Sequence, residues 1–480
     1  MLRKITTSVL VGALALASLS TPLHADDYGL PSLGSGGSSV SSDEEHRLGR
    51  AWLRQFRAQT QAWQDPITQR YVESVLSRLL PYSDIGNTQV IVTLVDSRLL
   101  NAFAVPGGIV GVNAGLFSFA PSEDAFASVL AHELGHLSQR HFARRMERIE
   151  ETQLPTMAAM LAGMVIAAGG GGNAGLAAMA GSQAAFIQDQ LAYSRRFEQE
   201  ADRVGLDAMA DAGFDPQAMP AMFRAMQRLT SLQGGNPPEF LLTHPVTESR
   251  ISDTQSRADQ LHAAASGQDP TYAMIRARAL LKLNQDAPTQ AMSQLRQDNP
   301  PQSAILYLEA LIAAEQNRTD DALDSLDRLA HELPDLSLIP ASAAEIALEA
   351  GRRGAALERA QRILRLSPGY FPAALLQADI LLQTDPDRAF DALRELSQQA
   401  SEDPQIFALL AEAAGRSGRE IWGHLARAEQ LQLSGSIDRA IRQLEVAEDV
   451  AKRDNNFGMA SRIQQRRREY LEYRTAAQQL

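Results

Sequence analysis

The sequence predicts a mainly α protein in which an α+β domain with a small sheet precedes an α-solenoid of tetratricopeptide-type helix pairs. At 480 residues the chain is long enough for two or three domains, and its 45% hydrophobic and 21% charged residues are typical of a globular protein with a large core. Strand-like patterns are confined to the amino-terminal half, whereas helix pairs with a repeat of about 34 residues fill the carboxyl-terminal half. We expect the first domain at 43–265 and the solenoid at 270–480.

The amino terminus has the parts of a secretory signal peptide. Arg3 and Lys4 precede an apolar stretch from Val9 to Leu19, and a small-residue cleavage site follows at Ala25. Because the apolar stretch is too short to span a bilayer comfortably, we expect a cleaved peptide at 1–25 rather than a membrane anchor. The Gly- and Ser-rich residues 26–42 are then a flexible leader.

The net charge and the absence of cysteine limit the classes of partner and the cellular compartment that fit this chain. Removal of the signal peptide changes the net charge from −12 to −14 (43 basic minus 57 acidic residues), which is unfavourable for binding nucleic acid. The chain has no cysteine, so it has no disulfide and no thiol for a lipid anchor. A zinc site in this chain would need histidine and carboxylate ligands. These features predict an exported protein of the periplasm.

Four segments come before the motif helix of the first domain. Helical periodicity is present in EEHRLGRAWLRQFRAQ and in ITQRYVESVLSRLL. TQVIVTLVD has the composition of a strand, and NAFAVPGGIVGVNAGLF is typical of a hairpin that turns at Pro106, Gly107 and Gly108. Together they predict two helices and a small sheet.

The next helix carries the motif SVLAHELGHLSQRH, from Ser128 to His141. His132 and His136 are one turn apart on the same face, which is the spacing that a metal ion needs, and Glu133 can act as general base toward a metal-bound water. The alternative is a helix with two incidental histidines, which the apolar flanks disfavour. On a continuous helix His141 would point to the opposite side, so we leave it out of the site.

A catalytic zinc needs a third protein ligand, and YSRRFEQEADRVGLDAM supplies it. Glu198 and Asp202 are spaced i, i+4 on one helical face, so Glu198 can bind the metal while Asp202 hydrogen-bonds a ligating histidine. Glu200 is the competing ligand by chemistry, but it points to another side of the helix.

Residues 152–188 contain no charged side chain. Neither apolar half has the length of a spanning helix, which favours a pair of small-residue helices packed near the active site. The alternative is an exposed apolar flap that touches a membrane surface or an unfolded client. Methionines 157, 160, 164 and 179 would suit such an adaptable surface.

The carboxyl-terminal half repeats one pattern of small, large, large and proline residues. Ala322, Leu326, Leu329 and Pro334 fit the second helix of a tetratricopeptide repeat, and the same pattern returns about 34 residues later. The returning residues are Ala356, Ala360, Ile363 and Pro368. An ordinary helical bundle is the alternative. A solenoid would have a concave surface that binds proteins.

The order of these motifs resembles the zinc metallopeptidase family that contains the CAAX prenyl protease and the bacterial heat-shock membrane peptidase. The resemblance rests on HExxH, on ExxxD within RRFEQEAD, and on NAFAVPGG, GFDPQAM at 213–219 and LLTHPVTESRISD at 241–253. It implies a zincin-like metallopeptidase domain with one Zn²⁺ per chain. His132, His136 and Glu198 would hold the metal, and Glu133 would be catalytic.

The resemblance also implies roles for His244 and Arg250. In the family, a histidine and an arginine so spaced lie over the metal and can stabilise the oxyanion that forms on the scissile carbonyl. The histidine can instead occupy the open position of the zinc as a latch. A helix cap or a buried structural histidine is the remaining alternative for His244.

The hairpin adds a hypothesis about the substrate. Asn101, Ala102 and Phe103 would lie on an edge strand beside the zinc, where an extended peptide could add itself through backbone hydrogen bonds. Such a mode favours unfolded or stalled chains. The alternative is a plain core hairpin in which Asn101 is a turn residue.

With a signal peptide and carboxyl-terminal repeats, the resemblance implies a periplasmic metalloendopeptidase, and chaperone, in outer-membrane protein quality control. Its partners would be unfolded or stalled outer-membrane β-barrel proteins and, through the repeats, the β-barrel assembly machinery. Outer-membrane association and peripheral membrane contact are part of this expectation, and nucleic acid is not. The rival is a non-proteolytic chaperone or scaffold whose zinc site is latched or structural. Glu133 favours hydrolysis, because a structural site does not need it.

Overall fold

A computed structural model of the protein describes residues 41–85, 90–168, 172–232, 238–262 and 269–477. The predicted signal peptide and residues 26–40 of the predicted leader lie outside the described residues. The predicted fold class is confirmed: the described residues are mainly helical, with one three-stranded sheet. The elements of the first domain are α1 (Ser42–Gln59), α2 (Pro66–Leu79), β1 (Ile91–Val95), β2 (Ala102–Val105), β3 (Ile109–Asn113), α3 (Ala114–Phe119), α4 (Glu123–Ser138), α5 (His141–Ala168), α6 (Gly172–Asp211), α7 (Ala218–Leu232), α8 (Glu239–Thr243) and α9 (Glu248–Ala258).

The sheet has the strand order β1-β3-β2, with β1 parallel and β2 antiparallel to β3. The predicted hairpin is confirmed, and its turn uses Gly107 at φ +83°, a backbone conformation that a side chain would strain. Strands β1 and β3 are buried on both faces, whereas β2 is only partly buried. Leu53 of α1 packs on Ile91 and Ile109, while the opposite face joins the main core against α2 and α4. Because the order is β1-β3-β2, strand β2 lies at an edge of the sheet, and this edge is next to the motif helix α4.

Helices α4 and α6 cross at close range, and this crossing assembles the site. Gly135 of α4 faces α6 so closely that a Cβ there would lie 2.7 Å from the Ala201 carbonyl oxygen. Ser122 caps α4 by accepting a hydrogen bond from the Ala125 N–H at 3.2 Å. Because the backbones approach so closely, side chains from the two helices can reach one metal.

Helices α5 and α6 pack against each other as a long antiparallel pair. Charged side chains are present on both helices only up to one ion pair. Arg148 pairs with Asp189 at 2.7 Å, and the charge-free residues 152–168 of α5 and 172–188 of α6 lie beyond this pair. The prediction of two helices here is confirmed. The side chain of Met157 is 51% exposed, whereas those of Met164 and Met179 lie outside the described residues. Within the described ranges, no helix is long and apolar enough to cross a membrane.

The solenoid consists of paired helices from α10 onward, as the repeat pattern predicts. Ala322, Leu326, Ala356 and Ala360 are fully buried at the helix interfaces. The helices are α10 (Thr271–Leu283), α11 (Pro288–Gln297), α12 (Gln302–Glu315), α13 (Thr319–Glu332), α14 (Leu338–Glu349), α15 (Arg353–Leu366), α16 (Phe371–Thr384), α17 (Pro386–Gln399), α18 (Pro404–Arg416), α19 (Glu420–Leu433), α20 (Ile437–Arg453) and α21 (Phe457–Ala477).

Both ends of the solenoid contact the first domain. At the start, the Tyr272 hydroxyl donates to the Ala120 carbonyl at 2.8 Å, and one hydrophobic core continues from the sheet into the first repeats. At the end, Arg54 of α1 donates to Gln432 and lies 4.3 Å from the ring centroid of Tyr473. Helix α1 thus lies between the last repeats and the sheet, a placement that the sequence alone did not predict.

Candidate metal centre

Four side chains from three parts of the chain converge at one point. His132 and His136 come from α4, Glu198 comes from α6, and His244 follows α8. The candidate ligand atoms of these four residues all lie within 4.8 Å of one another. His132 Nε2 is 3.1 Å from His136 Nε2, and each of these nitrogens is 3.4 Å from an oxygen of Glu198. The structure therefore brings together the three predicted ligands and the predicted latch.

The electrostatics of this cluster favour a cation. Burial alone would lower the pKa of His132, but hydrogen bonds to Asp202 and Glu198 outweigh it and raise that pKa to about 9. Burial also opposes ionisation of Glu198, yet hydrogen bonds from His132 and His244 hold its pKa well below the usual range. Two buried carboxylates thus stabilise positive charge at the point where the ligand atoms meet.

Glu133 lies beside this cluster and is almost completely buried, with 1% of its surface exposed. The backbone N–H of Ala104 on β2 hydrogen-bonds its carboxylate, and His244 Nε2 is 3.5 Å from its Oε1. That oxygen makes no hydrogen bond within the described part of the chain. Burial raises the pKa of Glu133, and the nearby charges of His244 and His132 lower it less strongly. A buried carboxylate with a raised pKa suits proton transfer.

Asp202 and Arg250 support the ligands from behind. His132 Nδ1 donates to Asp202 Oδ1 at 2.9 Å, as predicted, and this fixes the ring with Nε2 toward the other ligands. Arg250 is buried, donates to both oxygens of Asp202 at 2.7 Å, and lies 3.0 Å from Glu198. These contacts contradict the predicted oxyanion role of Arg250. Its guanidinium N–H groups already donate to Asp202, Glu198 and the Pro245 carbonyl, so they are not available to an oxyanion.

The prediction that His141 points away from the site is wrong. Helix α4 ends at Ser138, and Arg140 adopts φ +50°, so His141 begins a new helix instead of continuing the old one. His141 Nδ1 is consequently 2.9 Å from His136 Nδ1, and its Nε2 is 3.0 Å from Glu200 Oε2. Glu200 is not among the candidate ligands, in agreement with the sequence analysis, but it reaches the metal centre through His141.

These contacts determine which ring nitrogens carry protons. A carboxylate can only accept, so His141 Nε2–H donates to Glu200. In a neutral imidazole the other nitrogen is then an acceptor, and His141 Nδ1 accepts from His136 Nδ1–H. The Nε2 lone pair of His136 is left facing the ligand cluster. His141 is therefore a positioning residue for His136.

The predicted substrate strand is an edge strand, but its side chains differ in placement. Ala102 is fully buried, and the Phe103 ring packs edge-on against the rings of Trp52 and Phe56 of α1. The Oδ1 atom of Asn101 is buried and has no hydrogen-bond partner within the described residues. Any contact with substrate along Ala102 therefore uses its backbone.

A cavity of about 1090 Å³ opens onto the site. Its wall includes Glu133 and His136 together with Trp52, Phe56 and Phe103. Trp52 and Phe56 are not predicted as site residues from the sequence, because nothing in the helical pattern of α1 shows which side chains will face a cavity formed with residues some 80 positions later.

Comparison with known proteins agrees with this geometry. Residues 66–258 match peptidase family M48. The chain is 32% identical over 461 residues to the beta-barrel assembly-enhancing protease of Escherichia coli K12, a match that covers 94% of this chain and 93% of that protein. The chain belongs to peptidase family M48. The same identity over 446 residues relates it to the putative beta-barrel assembly-enhancing protease of Vibrio cholerae, covering 91% of each chain. The mitochondrial metalloendopeptidase OMA1 of Schizosaccharomyces pombe is 32% identical over 187 residues, which is 38% of this chain and 51% of that protein.

As an M48 member, the protein is a metallopeptidase, and its ligand cluster fits a metal cofactor. The donors are imidazole nitrogens and carboxylate oxygens, which bind divalent ions. The M48 match spans α2 to α9 and begins after α1. The aromatic wall that α1 adds to the cavity is thus outside the matched region.

Replacing His141 by Phe is expected to raise the dissociation constant for the metal by about 10- to 100-fold, the usual effect of losing a residue that orients a ligand. Phenylalanine can keep the stacking on Phe197, whose ring centroid is 4.1 Å away, but it cannot accept the hydrogen bond from His136. Competition with a chromogenic chelator measures the affinity, and His331→Phe on the exposed face of α13 is the matched control. An unchanged dissociation constant in His141→Phe would contradict the positioning role.

Proposed function

We propose that this protein is a periplasmic zinc metalloendopeptidase of outer-membrane protein quality control that degrades misassembled β-barrel proteins or assists their assembly. The observation that carries this proposal is the buried Glu133 carboxylate beside the cluster of His132, His136 and Glu198. Two relatives that match nearly the whole chain are named beta-barrel assembly-enhancing proteases, which supports the choice of substrate class.

In the proposed reaction, some of these residues hold the metal and others transfer protons or stabilise charge. His132, His136 and Glu198 would hold the zinc ion, with Asp202 and Arg250 fixing their orientation. When bound, zinc would supply Lewis acidity that lowers the pKa of water and polarises the scissile carbonyl. Glu133 takes the proton of the attacking water and passes it to the leaving amine. Once displaced from the ligand cluster, His244 can donate a hydrogen bond to the oxyanion.

Strand β2 is the proposed substrate strand, through Asn101, Ala102 and Phe103. The Asn113 N–H donates to the Asn101 carbonyl at 3.1 Å, so in antiparallel pairing Asn101 and Phe103 turn their backbone groups toward β3. Ala102 and Ala104 then turn theirs to the free edge, and the Ala104 N–H reaches Glu133. A substrate that pairs with this edge would lie next to the catalytic carboxylate, and an unfolded β-barrel strand can offer such pairing.

The sequence supports the proposed compartment and partners. The predicted signal peptide at 1–25 would export the chain to the periplasm, and the concave face of the solenoid suits binding to the β-barrel assembly machinery. The charge-free distal half of the α5–α6 hairpin would be the part that contacts the outer membrane peripherally. The acidic net charge argues against nucleic acid.

A second candidate function is a chaperone or scaffold with a permanently latched site. It is favoured by one observation: His244 Nδ1 lies 3.1 Å from Glu198, so four groups surround the metal position. Four protein ligands are typical of structural zinc sites, whereas catalytic sites have three.

Metal removal tests the proposal. The mature chain, starting at Asp26, is incubated with an unfolded outer-membrane β-barrel protein, and metal content is measured in parallel. We expect cleavage to stop after chelation and to return on addition of one equivalent of zinc per chain. Cleavage that persists without metal would contradict the metallopeptidase mechanism, and binding of the client without any cleavage at full zinc content would favour the chaperone.

A further inference from the structure

Helix α1 places an aromatic cluster along the cavity that leads to Glu133. The rings of Trp52 and Phe56 stack with centroids 4.8 Å apart, and the Phe103 ring of β2 meets them edge-on at 5.5 and 5.3 Å. All three side chains are half-buried and line the same cavity as Glu133 and His136. The cluster therefore has one face in the protein and one face in the space where a substrate would lie.

The sheet geometry relates this cluster to the catalytic residue. Phe103 pairs with Gly111, and its ring covers that glycine on the α1 face of the sheet, where a Cβ would clash. Its neighbour Ala104 contacts Glu133 on the α4 side. Because side chains alternate between the two faces, a strand added to the free edge of β2 would do the same. The residue directly beside Phe103 would point to Trp52 and Phe56, and its two neighbours would point toward α4.

The free part of this edge is short and defined. The Leu100 carbonyl already accepts from the Phe240 N–H at 3.3 Å, so the start of α8 covers the edge just ahead of Asn101. The Ala104 N–H already hydrogen-bonds Glu133. An added strand thus pairs along Ala102 to Val105 through the Ala102 N–H and the carbonyls of Ala102 and Ala104, where one residue faces the aromatic cluster and the next faces Glu133.

We propose that Trp52, Phe56 and Phe103 form an apolar subsite that selects extended substrates by one large apolar side chain, at the position directly beside Phe103. This inference rests on the proposed pairing of substrate with β2. The occupant is one strand of alternating apolar and polar residues, the pattern of a membrane β-barrel strand, of which the apolar face would lie against the aromatic cluster. Burial of a Phe side chain in this subsite removes enough apolar surface from water to favour binding of Phe over Ser by about tenfold to a hundredfold.

The test uses polar ten-residue peptides in which a single Phe is moved one position at a time. Cleavage efficiency and cleavage position are measured with the zinc-loaded chain, and binding is measured by fluorescence anisotropy with the Glu133→Gln variant. Because a polar strand can slide along the free edge until its Phe reaches the subsite, we expect each Phe peptide to be bound and cleaved about tenfold or more better than the all-polar peptide. The cleaved bond should stay at a constant number of residues from the Phe as the Phe is moved.

Variants of the aromatic cluster test whether the preference for Phe depends on these side chains. Phe56→Ala and Trp52→Ala should each reduce, several-fold, the preference for Phe peptides over the all-polar peptide. Phe56→Leu should keep most of the preference, because leucine keeps the apolar surface. Phe457→Ala, which removes a 67% exposed ring on α21, is the matched control and should change nothing.

The outcomes separate this inference from the proposed function. Cleavage of all peptides at bonds that do not follow the Phe, with no gain over the all-polar peptide, would overturn the subsite and leave the peptidase function intact. Tighter binding of the Phe peptides than of the all-polar peptide, without cleavage by the zinc-loaded chain, would support the subsite and remove the peptidase function. Since the peptide series alone decides the question in the unmodified chain, a variant that fails to fold does not obscure the result.

Discussion

Replacing Glu133 by Gln is expected to abolish proteolysis while the metal stays bound. Glutamine keeps the size and the hydrogen-bond acceptor that faces the Ala104 N–H, but it cannot take a proton from water. Loss of a general base costs about 10²- to 10⁴-fold in rate. The metal ligands are untouched, since Glu133 lies beside the cluster of four ligand atoms and not within it. Degradation of an unfolded outer-membrane β-barrel protein and metal content per chain are the two measurements.

The control for this variant is Glu239→Gln, which changes an exposed glutamate on the wall of the same cavity. It should cleave at the rate of the unmodified chain. The catalytic assignment would be refuted by a Glu133→Gln protein that still cleaves within a few-fold of the normal rate. Loss of metal from that variant would instead show that Glu133 supports the ligand cluster.

The sequence predicts most of this centre because helical spacing determines which side chains share a face. The i, i+4 spacing of His132 and His136, and of Glu198 and Asp202, requires only that each segment be helical, and α4 and α6 are. Those contacts depend on local structure. The parallel pairing of β1 with β3 depends on the whole fold, so the strand patterns predicted a small sheet without its order.

His141 shows how a local backbone change defeats the same reasoning. The segment Ser138, Gln139, Arg140 contains no Gly or Pro, so helical periodicity extends through it, yet Arg140 has positive φ and α5 starts in a new direction. Arginine rarely adopts that conformation, and only tertiary contacts such as the 3.1 Å bond from Arg140 to Glu45 of α1 can compensate for it. A helix end of this kind leaves no signal in the sequence.

Long-range contacts explain the other differences. The family resemblance predicts Arg250 over the metal. Its position is instead set by the buried carboxylates of Asp202, which the guanidinium binds bidentately, and Glu198. The aromatic cluster of α1 and the contact of α1 with the last repeats join residues from 47 to several hundred positions apart. Such pairs are set by packing of the complete chain, and the amphipathic pattern of α1 predicts only that the helix has a buried face.

Replacing His244 by Ala is expected to increase cleavage about tenfold, because the imidazole competes with water and substrate for the fourth position around the metal. His244 Nδ1 lies 3.3 Å from His132 Nε2 and 3.1 Å from Glu198, within the ligand cluster. If the latched state holds about nine-tenths of the molecules, its removal raises the competent fraction roughly tenfold. Cleavage of the unfolded β-barrel client and zinc affinity are measured together, and the affinity should fall because one ligand is lost.

The direction of the rate change distinguishes the two roles of His244. Alanine cannot donate a hydrogen bond, so a pure oxyanion role predicts slower cleavage, by about 10²- to 10³-fold, with little change in metal affinity. Leu242→Ala, which removes a neighbouring side chain that is 66% exposed, is the control for disturbance of the segment. Faster cleavage with weaker zinc binding identifies a latch and makes the four-group cluster a resting state of a peptidase. If neither His244→Ala nor the unmodified chain cleaves any client that both bind, the four groups are a structural site, and the chaperone function replaces the proteolytic one.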